Sequence, residues 1–199
     1  MPFEILDIVY WATTAVFLAV ATALALGALR RPRAIIVTVS GAFLASALAL
    51  AALPFAPLPL PVAVVVAGLS LVIAVIGGGP AATVVLEAAT RGTVMPGTHG
   101  GILLARSDRR VTDTPSVAPA KTEEVMRGGL VIGILERLAI AASLMAGFPG
   151  AFAVVVAVKG VGRFTELAES ESRERFIIGT LTSIIWATAS AGVWLLAIA

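Results

Sequence analysis

Several charged residues stand where the chain is otherwise apolar. Glu136 and Arg137 lie inside the run Gly128 to Gly147, and Lys159 and Arg163 lie inside the run Gly150 to Leu167, with Glu166 near its end. A carboxylate among cations can neutralise them, relay a proton, or leave a positive charge over for a ligand. Ionisable groups at bilayer depth are costly, so they are rare, usually paired, and a functional hypothesis by default. Lys159 and Arg163 are four residues apart and therefore share one helix face. Phe148-Pro149-Gly150 reads as a tight reversal, which makes the two runs an antiparallel hairpin. Counting equally from that reversal brings Glu136 level with Gly160 and Val161, within about one helical turn of both Lys159 and Arg163. Glu136 can meet either one. A third run folds back near Ser170 and sets Thr180, Thr182 and Ser183 near the depth of Lys159, where hydroxyls can accept from the ammonium group.

Two uses of this cluster compete. A buried ion pair can simply fix the register of two helices, with no net gain in stability, while Arg163 and Glu166 snorkel to the headgroups. The charge count favours more. Arg137, Lys159 and Arg163 are three cations, and Glu136 is the one carboxylate clearly at depth. Glu87 adds a second if its helix continues past Gly77-Gly-Gly-Pro80. Without it the cluster is net positive and wants an anion: a lipid phosphate, a substrate carboxylate or a partner subunit's acid.

The elements that position these residues follow from composition. Of 199 residues, 59% are hydrophobic and 13% charged, and the mean hydropathy is +1.02. A soluble domain carries about 25% charged residues. The expected fold is all-α: a polytopic membrane bundle of about six helices with a small cytoplasmic insert. Three parts follow, residues 1–89 with three spans, the polar insert 90–127, and a three-span unit 128–199 that carries the charges. Span one runs from Ile5 to Leu29 and ends at Arg30, Arg31 and Arg33. Span two, Ala34 to Leu53, stops in the proline-rich stretch Pro54 to Pro61. Span three starts near Pro61 and meets a break at Gly77–Pro80, after which Ala81 to Ala89 resumes a helical pattern. In the insert, Ile102 to Ala105 reads as a short strand, and Lys121 to Arg127 leads into span four with Glu123 and Glu124 in its first turn. Glu166 to Arg175 reads as a charged turn before span six, Phe176 to Ile198.

Lysine and arginine collect in the Arg30–Arg33 loop, the insert and the Glu166–Arg175 turn, while the loops at Pro54–Pro61 and Phe148–Gly150 hold none. This asymmetry predicts a membrane protein with both termini outside the cytoplasm. The N-terminus is expected to be a retained span and not a signal peptide, since Glu4 and Asp7 replace a basic n-region.

Cysteine is absent, which removes disulfide and thiolate chemistry. His99 is the single histidine, so no metal site and no cofactor is expected. Nucleic acid is not an expected partner, because the arginines flank apolar spans and form no dense basic face. The expected partners are the lipid bilayer, an anionic lipid or anion at the basic cluster, and a second copy or another membrane protein. Small residues recur at fourfold spacing at Ala15, Ala19, Ala23 and Gly27, and again at Gly179, Ser183, Ala187 and Ala191. Such stripes let helices approach closely, within the bundle or with a partner.

The blocks Gly128-Gly-Leu-Val-Ile-Gly-Ile-Leu-Glu-Arg137, Val158-Lys-Gly-Val-Gly-Arg-Phe-Thr-Glu-Leu167 and Glu174-Arg-Phe-Ile-Ile-Gly-Thr180 with Ser183 carry a resemblance. They resemble the C-terminal part of a group of uncharacterised bacterial integral membrane proteins of actinobacterial type. The resemblance covers about the last seventy residues. It implies that the charged positions belong to a recurring design, and it brings no activity with it.

No Gly-x-Ser-x-Gly, His-Glu-x-x-His or P-loop pattern occurs. The leading expectation is therefore a non-enzymatic accessory or scaffold component of a membrane complex. The alternatives are a small ion- or proton-coupled transporter or channel using Glu136, Lys159 and Arg163, and a lipid-modifying enzyme drawing on Glu87, Asp108, Asp113 or His99.

Overall fold

The computed structural model of the chain describes residues 2–53, 57–89, 95–96, 102–105, 122–125, 129–162 and 170–199. They form six helices and a small sheet: α1 (Pro2–Ala28), α2 (Ala34–Ala51), α3 (Leu60–Ala89), α4 (Gly129–Met145), α5 (Gly150–Gly162) and α6 (Ser170–Ala197), with β1 (Met95–Pro96), β2 (Ile102–Ala105) and β3 (Thr122–Val125) between α3 and α4 in the chain. Four helices are long and apolar enough to cross a membrane: α1 over Ile5–Ala28, α2, α3, and α6 over Arg173–Ala197. The six crossings expected from sequence exceed this number. α4 has 17 residues and α5 has 13, so at about 1.5 Å per residue α5 reaches only about 20 Å, against a hydrocarbon core of about 30 Å.

α3 and α6 form the central pair. α1 and α2 pack on one side and α4 on the other, while α5 touches α4 at the edge of the bundle. The larger core joins Trp11, Leu18, Leu44, Val66, Ile73 and Val193 across α1, α2, α3 and α6. Burial alone gives little to hold apolar helices together in an apolar solvent, so hydrogen bonds between helices and close small-residue contacts carry more of the specificity. Ser40 Oγ donates to the Ala21 carbonyl at 2.8 Å, and the Tyr10 hydroxyl donates to the Leu50 carbonyl; both tie α1 to α2. The small-residue stripes part ways. On α6, Ser183, Ala187 and Ala191 are buried, whereas on α1 Ala19, Ala23 and Gly27 face outward.

Three points of the sequence reading are decided by the structure. At Gly77–Pro80, where the sequence leaves open one kinked helix or a span followed by an interfacial helix, α3 is one helix of 30 residues that runs through Pro80. Proline removes one ladder bond, but donors from neighbouring helices support the backbone just before it. Trp186 Nε1 donates to the Ile73 carbonyl at 3.1 Å, and Arg137 Nε donates to the Val75 carbonyl at 2.7 Å. Second, Glu123 and Glu124 are not in the first turn of a helix. They lie in β3, opposite Leu104 and Leu103 of β2 in an antiparallel ladder. Third, the expected turn at Glu166–Arg175 is helical from Ser170 onward, and Arg163 and Glu166 lie outside the described residues.

The reversal at Phe148-Pro149-Gly150 is built by the residue before it. Gly147 takes a φ of 78°. Its N–H donates to Leu144 at 3.0 Å and that of Phe148 donates to Ser143 at 2.8 Å. This paired 5→2 and 6→1 pattern is a Schellman cap, and it closes α4.

At Gly77, α3 leaves room for the Trp186 ring of α6. A Cβ there would stand 2.3 Å from Trp186 Nε1, and the indole is held by its bond to Ile73. Gly68, on the same helix, meets open space. Gly77→Ala is expected to cost about 1–3 kcal/mol by overpacking and Gly68→Ala to be neutral or slightly stabilising. Thermal unfolding of the two variants side by side in one detergent checks this.

Candidate functional site

Glu136 and Arg137 are neighbours in sequence, and one helical step of about 100° sends them to different partners. Glu136 turns toward α5, where Lys159 Nζ donates to Glu136 Oε2 in a direct ion pair. The two side chains keep little exposure, 17% for Lys159 and 14% for Glu136. The ammonium also lies 5.6 Å from the centre of the Phe176 ring on α6, within reach of a cation–π attraction. Of the two cations that the hairpin alignment offers to Glu136, the described one is Lys159.

Arg137 turns the other way, between α3 and α6, and is 7% exposed. Helical side chains lean toward their own N-terminus, so the guanidinium runs back over Gly133, where a Cβ would lie 3.1 Å from Nη1. The slot needs glycine on α3 as well. A Cβ on Gly78 would stand 2.5 Å from Arg137 Cδ, whereas one on Gly79 would make only an ordinary contact with Nη2 at 3.8 Å. Nε donates to the Val75 carbonyl at 2.7 Å and Nη1 donates to Ser183 Oγ at 3.1 Å. Arginine has five N–H donors. The Nη2 amino group has no acceptor among the described residues, and no carboxylate there stands within ion-pair distance of Arg137.

Nη2 borders a cavity of about 630 Å³ at the end of the bundle where α1 and α3 finish and α4 and α6 begin. Its walls are mostly aliphatic, and its charged lining is Arg137, Lys159, Arg175 and Glu87. Leu29 and Leu130 also line it and are 51% and 58% exposed. The cavity is therefore open at that rim.

The site residues expected from sequence divide as follows. Glu136 and Lys159 meet. Arg137, Lys159, Glu87, Thr180 and Ser183 share the cavity. Ser183 accepts from Arg137 and not from Lys159. Thr182 is a correction: its Oγ1 donates to the Ile178 carbonyl at 2.8 Å on its own helix and offers nothing to the ammonium. Arg163 and Glu166, with His99, Asp108 and Asp113 of the insert, lie outside the described residues. Sequence reasoning missed the cavity role of Arg175 and the pairing of the glycine triplet with Arg137 and Trp186. One signal was available: Gly133 stands one turn before Arg137, which is where the arginine side chain must lie.

Comparison with protein-family models, with curated proteins and with solved structures finds no match to this chain.

Removing one side of a buried pair costs about 3–5 kcal/mol where the orphan is fully desolvated, and the residual exposure of Lys159 places Glu136→Ala at or below the lower end. The expected outcome is reduced folded yield and a lower melting temperature for Glu136→Ala. Both should recover in Glu136→Ala/Lys159→Met, because the stranded ammonium is gone. Size-exclusion yield and thermal melting of the single and double variants check it; no recovery in the double variant would mean that the pair does not hold α5.

Proposed function

We propose that the chain is a non-enzymatic component of a bacterial cytoplasmic membrane that holds an anionic amphiphile beside its bundle, as an accessory or scaffold subunit. One observation carries this: a cavity with apolar walls and, at its inner side, the buried Arg137, whose Nη2 group meets no acceptor among the described residues. A donor of a buried cation left without an acceptor is costly, and a bound anion with an apolar tail would satisfy that donor and the walls together. The volume lies within the range of about 300–1,000 Å³ usual for small-ligand sites. Binding is favoured over catalysis by two hydroxyls of the lining that are already engaged. Thr83 Oγ1 donates to the Gly79 carbonyl on its own helix at 3.2 Å, and Ser183 is engaged by Arg137.

In this reading the chain crosses six times, with α4 and α5 as a hairpin completing the four longer helices. The basic loops face the cytoplasm, both termini face outward, and the cavity opens in the cytoplasmic leaflet. The absence of cysteine makes orientation directly measurable. Thr112→Cys should resist a membrane-impermeant maleimide in intact cells and react after permeabilisation, whereas a cysteine added after Ala199 should react in both. The opposite pattern would invert the topology. For the binding itself, the protein purified in mild detergent should carry about one anionic amphiphile per chain; a preparation with no retained amphiphile would defeat the reading.

A second reading, an ion- or proton-coupled transporter, draws on the Glu136–Lys159 pair beside the cavity, since carboxylate–cation pairs at depth serve proton pathways. Reconstituted vesicles would then show a flux that Glu136→Gln abolishes.

A further inference from the structure

We propose that the cavity takes its ligand sideways from the bilayer. An anionic amphiphile of the surrounding membrane enters head first through a mouth between α1 and α4, and Arg30, Arg31 and Arg33 collect its head there. This rests on the amphiphile-binding reading and adds to it the source of the ligand and its route. The head is an oxyanion, phosphate or carboxylate, since both accept from a guanidinium N–H.

Two elements wall the cavity without packing on each other. Ala28, Leu29 and Pro32 line it from the α1 side, and Gly129 and Leu130 line it from α4. Among the described residues α1 and α4 make no contact, while α3 packs against both. The two rims stand at one level. Ala28 shares a small core cluster with Ala81, which sets Leu29 near the level of Ala82. On the other side, Gly79 and Gly133 both lie by the Arg137 guanidinium. α3 and α4 run antiparallel there, since Arg137 bonds to Val75 while Ile140 and Ala141 pack with Ala74. Leu130, three residues before Gly133, therefore also comes to the level of Ala82, three residues after Gly79. Leu29 and Leu130 flank the gap from opposite sides of α3, and both are more than half exposed.

That level belongs to the lipid. Leu29 follows directly on the apolar span Ile5–Ala28, and the arginines after it mark where the chain leaves the hydrocarbon. The mouth is thus edged by leucines just inside the headgroups. The guanidinium lies three residues deeper, about 4–5 Å of helix rise. A head that passes the leucines has one helical turn to travel before it meets Nη2, which has no acceptor among the described residues. The tail keeps to the aliphatic wall and to the bilayer outside, so no apolar surface has to cross water.

The arginines at the mouth are available for capture. Arg30, Arg31 and Arg33 are exposed and pair with no carboxylate, and Pro32, between them, is part of the cavity wall. Arginines at a span end commonly serve topology; these also stand at an opening. Basic residues at the surface attract anionic lipid heads over about a Debye length and do little for a zwitterionic head.

The chain has no cysteine, so the mouth can be blocked chemically. The full-length Leu29→Cys/Leu130→Cys variant is purified, reconstituted in vesicles and compared with itself after reaction with a bulky maleimide. Leu6→Cys/Val64→Cys, at exposed positions outside the cavity lining, is the control. The vesicles are phosphatidylcholine with a minor share of chain-deuterated phosphatidylglycerol, and mass spectrometry of the re-extracted protein follows uptake of the deuterated lipid. Blocking the mouth should slow uptake at least tenfold and leave the control unchanged. Arg30→Gln/Arg31→Gln, which keeps Arg33 to hold the orientation, should lower the ratio of phosphatidylglycerol to phosphatidylcholine uptake at least threefold. An unchanged ratio overturns the collecting role of the arginines. Uptake as fast after blocking as before overturns lateral entry, and so does equal slowing in the control. A protein that takes up the water-soluble dihexanoyl phosphatidylglycerol but no bilayer lipid overturns the membrane as source and keeps amphiphile binding. A protein that retains no amphiphile defeats the broader reading as well.

Discussion

The contact on which the rest of the structure depends is a guanidinium pressed against a stretch of α3 that has no side chains. Arg137 reaches Val75 and Ser183 from α4 and so joins three helices through one group. It can do so because Gly78 and Gly133 leave the space. One residue earlier on α3, Gly77 gives the same room to Trp186. In a bundle whose outer surface is as apolar as lipid, close approach and hydrogen bonds must replace the water-driven burial that would hold soluble helices together. The glycine triplet provides the approach, and the arginine and the indole provide the bonds.

Much of this was legible in the sequence. The apolar runs gave the long helices, because a stretch that is hydrophobic on every face suits a membrane or a deep interior. The equal count from Phe148-Pro149 put Glu136 within reach of both Lys159 and Arg163, because a short reversal leaves little freedom of register between two helices, and the structure pairs it with Lys159. Other features were not legible, for physical reasons. Pro80 looks like a break because proline lacks the N–H and crowds the preceding turn. α3 nevertheless runs on through it, packed against α6 and α4, and those contacts lie far away in sequence, where local rules do not reach. Glu123 and Glu124 look like the start of a helix, and a strand partner at Ile102–Ala105 overrides that preference.

The small-residue stripes show the same limit. Fourfold spacing marks a face that can approach another helix, but not which helix is there. On α6 the stripe faces the inside of the chain, with Ser183 turned toward Arg137, Gly78 and the cavity. On α1 only Ala15 packs against the core, and Ala19, Ala23 and Gly27 are exposed. Identical patterns thus have different roles, and the neighbours decide between them.

The adjacent charges Glu136 and Arg137 explain how a bundle can be stable and still hold a site. Glu136 and Lys159 satisfy one another, so α5 is fastened without any outside group. Arg137 is bonded on two of its nitrogens for the sake of the fold and keeps the third toward the cavity. Any anion that settles on that third nitrogen also relieves the charge buried between α3, α4 and α6. Ligand binding and helix packing are therefore linked through one side chain. A molecule that binds only the folded form stabilises it in proportion to the logarithm of its concentration over its dissociation constant. The residue that needs an anion most is also the one that ties three helices together, so an occupied cavity would tighten the whole C-terminal half of the bundle.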